Sequence, residues 1–148
     1  MHSLNLYCFC NRFAKILIPL MQRREALDNA KKVRQFLQDI VDEKLWIKEK
    51  MRLATSTDYG NSLLSVQMLQ KKNGSLQNEI DSHEVHLKRV IDEGLSLIEN
   101  GHPQADNFQK GIDELNAGWE ELLAAVEKRK NMLEQSEAAK QVCLIVCC

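Results

Sequence analysis

Apolar residues recur along this chain in three long stripes, each at the alternating three-and-four spacing of a helix that packs along its partners. The middle stripe is the cleanest. It runs Val66, Leu69, Asn73, Leu76, Ile80, His83, Leu87, Val90, Gly94, Leu97, and seven of these ten positions are aliphatic. The last stripe is Phe108, Ile112, Leu115, Trp119, Leu122, Val126, Arg129, Leu133. The first is broader: Val33, Phe36, Leu37, Ile40, Trp46, Ile47, Met51, Leu53 and Ala54, interrupted by Glu43 and Lys50. A face of that width suits a helix packed against two neighbours.

Turn signals separate the stripes. Thr55-Ser56-Thr57-Asp58-Tyr59-Gly60 is small and polar and ends in glycine, which reads as a turn and a new helix cap. Asn100-Gly101-His102-Pro103 closes the second stripe, with Gly101 suited to the helix C-terminus and Pro103 unable to continue from the turn before it. The pattern predicts helices over about 27–54, 61–99 and 104–141. Short turns between long helices predict an all-α, up-down-up, left-handed three-helix coiled-coil bundle. Its first and third helices run parallel. Trp46 and Trp119 would then both lie about 23 Å from the same end, in one core layer of a rod about 50–55 Å long.

Composition agrees with a helical chain. Of 148 residues only two are proline and six are glycine. Lys and Arg number 20 against 21 Asp and Glu, so there is no net basic charge to attract nucleic acid. The length suits one domain, with one repeat-like unit over 22–141. Residues 1–21 and the Cys-rich 142–148 read as non-repeat tails, as the ends of a short isoform or of an imperfect gene model would. The first tail is too short and too interrupted by Asn11, Arg12 and Lys15 to span a bilayer. It also lacks the small-residue cleavage site of a signal peptide.

Cysteines occur only near the ends, at Cys8, Cys10, Cys143, Cys147 and Cys148. The core therefore does not depend on disulfides, and a reducing, cytosolic setting fits. Cys8-x-Cys10 has no second pair to complete a metal site, and the bundle topology sends the two tails to opposite ends. The terminal Cys147-Cys148 resembles prenylated ends, but Ile145 occupies the position where a C-a-a-X motif needs cysteine. His83-Glu84-Val85-His86 is one residue short of the zinc-protease spacing, and His83 falls on the core seam, so it reads as a core histidine. Asn73 on that seam reads as a register device. Arg129 reads as a packed stem whose guanidinium reaches water or a carboxylate. No nucleophile–base spacing and no glycine-rich phosphate loop is present. The sequence therefore predicts no enzyme: no catalytic residue, no cofactor-binding residue, no cofactor and no metal ligand.

Several of these residues together resemble a spectrin repeat. They are Phe36, the Asp42-Glu43-Lys44-Leu45-Trp46-Ile47 run, Asp58-Tyr59-Gly60, Lys71-Lys72, His83-Glu84, Trp119-x-x-Leu122, and Arg129 with Leu133. The likeness covers about residues 30–140 and leans toward the β chains of spectrin. Gly74, inside the second helix, departs from it. An internal echo supports the resemblance: Arg23-Arg24-Glu25-Ala26-Leu27-Asp28-Asn29 matches Arg129-Lys130-Asn131-Met132-Leu133-Glu134-Gln135 at an offset of 106 residues. That is the period of a spectrin array, in which neighbouring units stabilise one another through a shared helix.

The resemblance implies a structural spacer, elastic and protein-docking module of the actin–spectrin submembrane cytoskeleton, in the cytoplasm at the cell cortex. It implies protein partners, α-spectrin laterally and ankyrin or other cortical proteins. Direct actin binding, nucleic acid, and more than indirect membrane association are not expected. The alternative is a lipid-tethered cortical adaptor using the C-terminal cysteines, with Cys147 or Cys148 carrying the lipid.

Overall fold

The computed structural model describes the backbone of residues 2–147 and the side chains of residues 10–147. The side chains of Cys8 and Cys148 lie outside the described residues. There are three helices among them, α1 (His2–Ala54), α2 (Leu63–Glu99) and α3 (Ala105–Val146), and no strand. α1 begins long before its stripe of apolar positions, and α3 runs past Gln141. The cause is local: Arg23, Arg24, Glu25 and Ala26 are good helix formers, and nothing breaks the backbone ahead of them except Pro19. Pro19 lies inside α1, where it lacks the N–H that would bond the carbonyl of Lys15.

The chain divides into two compact units, Met1–Leu37 and Gln38–Cys148. In the first, Phe13, Ile16, Leu20, Met21 and Leu27 are exposed, Ala14 and Val33 are half-buried, and Phe36 is buried.

The second unit holds the bundle core, and its contacts fix the direction of each helix. Glu43 meets His83 and Lys50 meets Glu79, so α2 descends as α1 rises. Lys44 Nζ lies 2.5 Å from Glu114, and Arg129 reaches back to Ser56, so α1 and α3 rise together. Gln70 donates to Glu137 at 2.8 Å, while His83 sits beside Trp119, so α2 and α3 are antiparallel. This is the up-down-up order that the sequence predicts. Every position of the second and third stripes is buried or half-buried.

The first stripe is narrower than its sequence suggests. Leu37 and Leu53 are 42% and 53% exposed and do not join the core. The inward positions within the second unit are instead Ile40, Glu43, Ile47, Lys50 and Ala54, an unbroken three-four series, with only Lys50 half-buried. Glu43 and Lys50 are thus members of the seam rather than interruptions of it. Gly111 explains how closely α1 and α3 approach: a Cβ there would lie 2.8 Å from Ile40 Cδ1.

Both connections are closed by glycine in the left-handed region. Gly60 has φ +78°, and a Cβ there would meet Val66 N at 2.8 Å, so the tight approach of this turn to α2 admits only glycine without strain. Asp58 Oδ1 accepts from Gly60 N at 3.1 Å. The cap of α2 is Ser62, which forms a reciprocal capping box with Ser65. Gly101, φ +72°, follows the C-cap Asn100 of α2.

Candidate functional site

The densest cluster of aromatic and charged side chains lies where Trp46 of α1, His83 of α2 and Trp119 of α3 meet. The His83 ring stacks on Trp46 with centroids 3.8 Å apart and planes 9° from parallel. Trp119 stands 6.0 Å from Trp46 and 6.5 Å from His83. The two tryptophans therefore share one layer, as their positions on parallel helices predict. Each helix contributes one ring, so the layer ties all three together. Offset and tilted aromatic pairs at such distances add about 0.5–1.5 kcal/mol each beyond their buried area. Lys50 Nζ sits 5.5 Å from the Trp46 ring centroid and is held by Glu79 at 2.6 Å.

Glu43 completes this layer. Only 3% exposed, it places one carboxylate oxygen 2.8 Å from His83 Nε2 and the other 3.1 Å from His86 Nε2. Arg89 Nη2, which can only donate, lies 3.2 Å from His86 Nδ1. His86 thus lies between Arg89, beside its Nδ1, and Glu43, beside its Nε2. The His83-Glu84-Val85-His86 sequence thus serves a buried carboxylate from the neighbouring helix. Its own Glu84 pairs instead with Lys88 at 2.8 Å on the surface. Sequence reasoning missed Glu43. The available signal was complementarity, an acid on the α1 seam and a histidine on the α2 seam.

A second cluster pins the α1–α2 turn. The Arg129 guanidinium donates through Nη1 to the Ser56 carbonyl and through Nη2 to the Asp58 carbonyl at 3.1 Å. It also lies 5.9 Å from the Tyr59 ring centroid. Ser136 Oγ donates to the Tyr59 carbonyl at 3.1 Å. Arg129 is buried, and its partners are backbone oxygens rather than the water or carboxylate expected from sequence. The reason is geometric: the turn leaves its carbonyls without helical partners, and a planar fork of donors reaches two of them at once.

Asn73 is 6% exposed and its Oδ1 has no hydrogen-bond partner. Cys10, Cys143 and Cys147 are exposed free thiols. No group of three or more His, Cys, Asp or Glu among the described residues is arranged to hold a metal ion. No helix among them is long and apolar enough to cross a membrane.

A filled three-helix bundle, with one ring from each helix in a shared layer and an arginine clamping the first turn, defines a structural repeat module. Residues 31–135 match the spectrin repeat family, and the chain belongs to that family. The spectrin beta chain of Drosophila melanogaster is 46% identical over 130 residues, covering 88% of this chain and 6% of that protein. Spectrin beta chain, non-erythrocytic 4, of Homo sapiens is 33% identical over 130 residues, 88% of this chain and 5% of that protein. Spectrin alpha chain, erythrocytic 1, of Mus musculus is 33% identical over 125 residues, 84% of this chain and 5% of that protein. The chain thus spans only about one-twentieth of the length of these relatives. The family is structural and non-enzymatic.

Proposed function

We propose that this chain acts as a load-bearing spacer and protein-docking unit of the actin–spectrin skeleton at the cytoplasmic face of the cell cortex, with residues 22–141 as the working repeat. The observation that carries the reading is the Trp46–His83–Trp119 layer, in which all three helices are cross-packed. Load along the helices must separate that layer before the core opens. The partners proposed are a spectrin α chain laterally and ankyrin or other cortical proteins. The first rests on the likeness to spectrin chains. Direct binding to actin filaments is not part of the proposal.

Single-molecule pulling on the whole chain tests the mechanical role. It should show one cooperative unfolding event, at a force that drops in Trp119→Ala. An unchanged force would remove the layer from the mechanism. Pull-downs with purified α-spectrin and ankyrin fragments test the docking role, and failure with both would leave a spacer only.

A further inference from the structure

The end of α3 carries a feature that the structural role does not use. Cys143 and Cys147 stand one helical turn apart on the same side, with their free thiols in a weak S–H···S contact at 3.9 Å, and both are exposed. Around them Val142, Leu144, Ile145 and Val146 are 54–77% exposed, so the last turn of this helix is apolar on every side and faces solvent. The Cys147 N–H is taken by the Cys143 carbonyl at 3.0 Å, which fixes the backbone that sets the spacing of the two thiols.

That spacing has a chemical match. A tetrahedral zinc ion with Zn–S bonds of about 2.3 Å holds each pair of its sulfurs about 3.8 Å apart. The two thiols therefore already span one edge of such a tetrahedron without a change of rotamer. Among the described residues one chain supplies two ligands here, and no described side chain adds a third. Two copies supply four. Joining two copies there would cover the exposed Val142, Leu144, Ile145 and Val146 against their counterparts.

We propose that Cys143 and Cys147 form half of a zinc site, and that one Zn²⁺ joins two copies of this chain end to end through four cysteine thiolates. Each thiol loses its proton to the solvent on binding, so assembly releases four protons per zinc and changes no oxidation state. Soft thiolate ligands select zinc over magnesium or calcium. Because the site is shared between chains, zinc acts as a concentration-dependent linker, and a chelator should undo it.

The test uses the full chain, fully reduced, titrated with zinc sulfate while its mass is followed by light scattering. Dimers should accumulate and saturate at one zinc per two chains, and EDTA should return monomers. Cobalt(II) in place of zinc should give the intense visible bands of a tetrahedral thiolate site. Cys143→Ser/Cys147→Ser retains Cys8, Cys10 and Cys148, and should lose both the dimer and the cobalt bands while keeping its helical circular dichroism. Dimerisation or cobalt bands that persist in that variant would overturn the assignment. So would saturation at one zinc per monomeric chain, or no zinc-dependent change in mass.

Discussion

Trp46 and Trp119 lie with ring centroids 6.0 Å apart and planes 23° from parallel, although one is half-buried and the other only 8% exposed. They share a layer but not an environment. Trp119→Ala empties a closed site and should cost about 3–5 kcal/mol. Trp46→Ala opens onto solvent and removes the stack on His83, so about 2 kcal/mol is expected. Urea melts of both variants check the order. Equal losses would mean that the layer is symmetric in solution.

Arg129 binds two carbonyls of one turn, and lysine cannot. Arg129→Lys keeps the charge and most of the stem but offers a single ammonium in place of a fork. Losing one of the two bonds in a buried site should cost about 1–3 kcal/mol. The local signature is faster amide hydrogen exchange over residues 55–62, with protection at the Trp46–Trp119 layer retained. Uniform loss of protection along the chain would show that Arg129 supports the whole core rather than the turn.

The course of α2 and α3 was legible because their seams are nearly pure: aliphatic residues at three-and-four spacing leave no other inward face. The shared tryptophan layer followed from helix direction and rise alone. α1 was harder because its inward row includes Glu43 and Lys50 while Leu37 and Leu53 point outward, so hydrophobicity misplaced the face by one position on each side. Arg129's role was invisible for a different reason. Its partners are the carbonyls of Ser56 and Asp58, which every sequence possesses, and only the path of the turn brings them near. The Cys143–Cys147 pair went unread because the sequence ends the third helix at about 141, whereas α3 continues to Val146 and sets the two thiols one turn apart.

Gly74 is a helical glycine without a packing reason. A Cβ built there meets nothing within 4 Å, and the residue is exposed. Gly74→Ala should therefore stabilise the chain by up to about 1 kcal/mol through reduced backbone freedom in the unfolded state. Thermal melting would show a raised midpoint. A lowered one would indicate that the open wall beside Asn73 is needed for packing.

Glu114 titrates below its ordinary value of 4.5 because Lys44 donates a hydrogen bond to it and adds its positive charge. A carboxylate whose folded value is depressed contributes stability above its unfolded value, and loses it as pH falls through the folded value. The Lys44–Glu114 link between α1 and α3 should therefore weaken only on the acid side of about 4.5. Carbon-detected NMR of the Glu114 carboxyl should place its midpoint below that value, and Lys44→Met should bring it back up. The pair is exposed, so salt should erode the difference.

Glu43 offers the sharpest separation between a polar group that specifies the core and one that merely tolerates it. Its two oxygens are each taken by an imidazole of α2, and hardly any of the side chain reaches water. Removing the acid alone leaves His83 and His86 without the acceptor they face, so Glu43→Ala should cost about 1–3 kcal/mol. Replacing Glu43 and His83 together is different, because the half-exposed His86 can turn to water. Glu43→Met with His83→Leu removes acid and base together and fills the layer with apolar volume, and such exchanges are often neutral or stabilising. The double variant should therefore recover most of the loss seen in Glu43→Ala. If it does, the pair's role lies in register, fixing which turn of α1 faces which turn of α2, and the double variant should show broadened indole resonances from Trp46 and Trp119 despite its regained stability. If it recovers nothing, the imidazole stack on Trp46 contributes more than the hydrogen bond to Glu43, and His83→Leu alone should then be as damaging as Glu43→Ala.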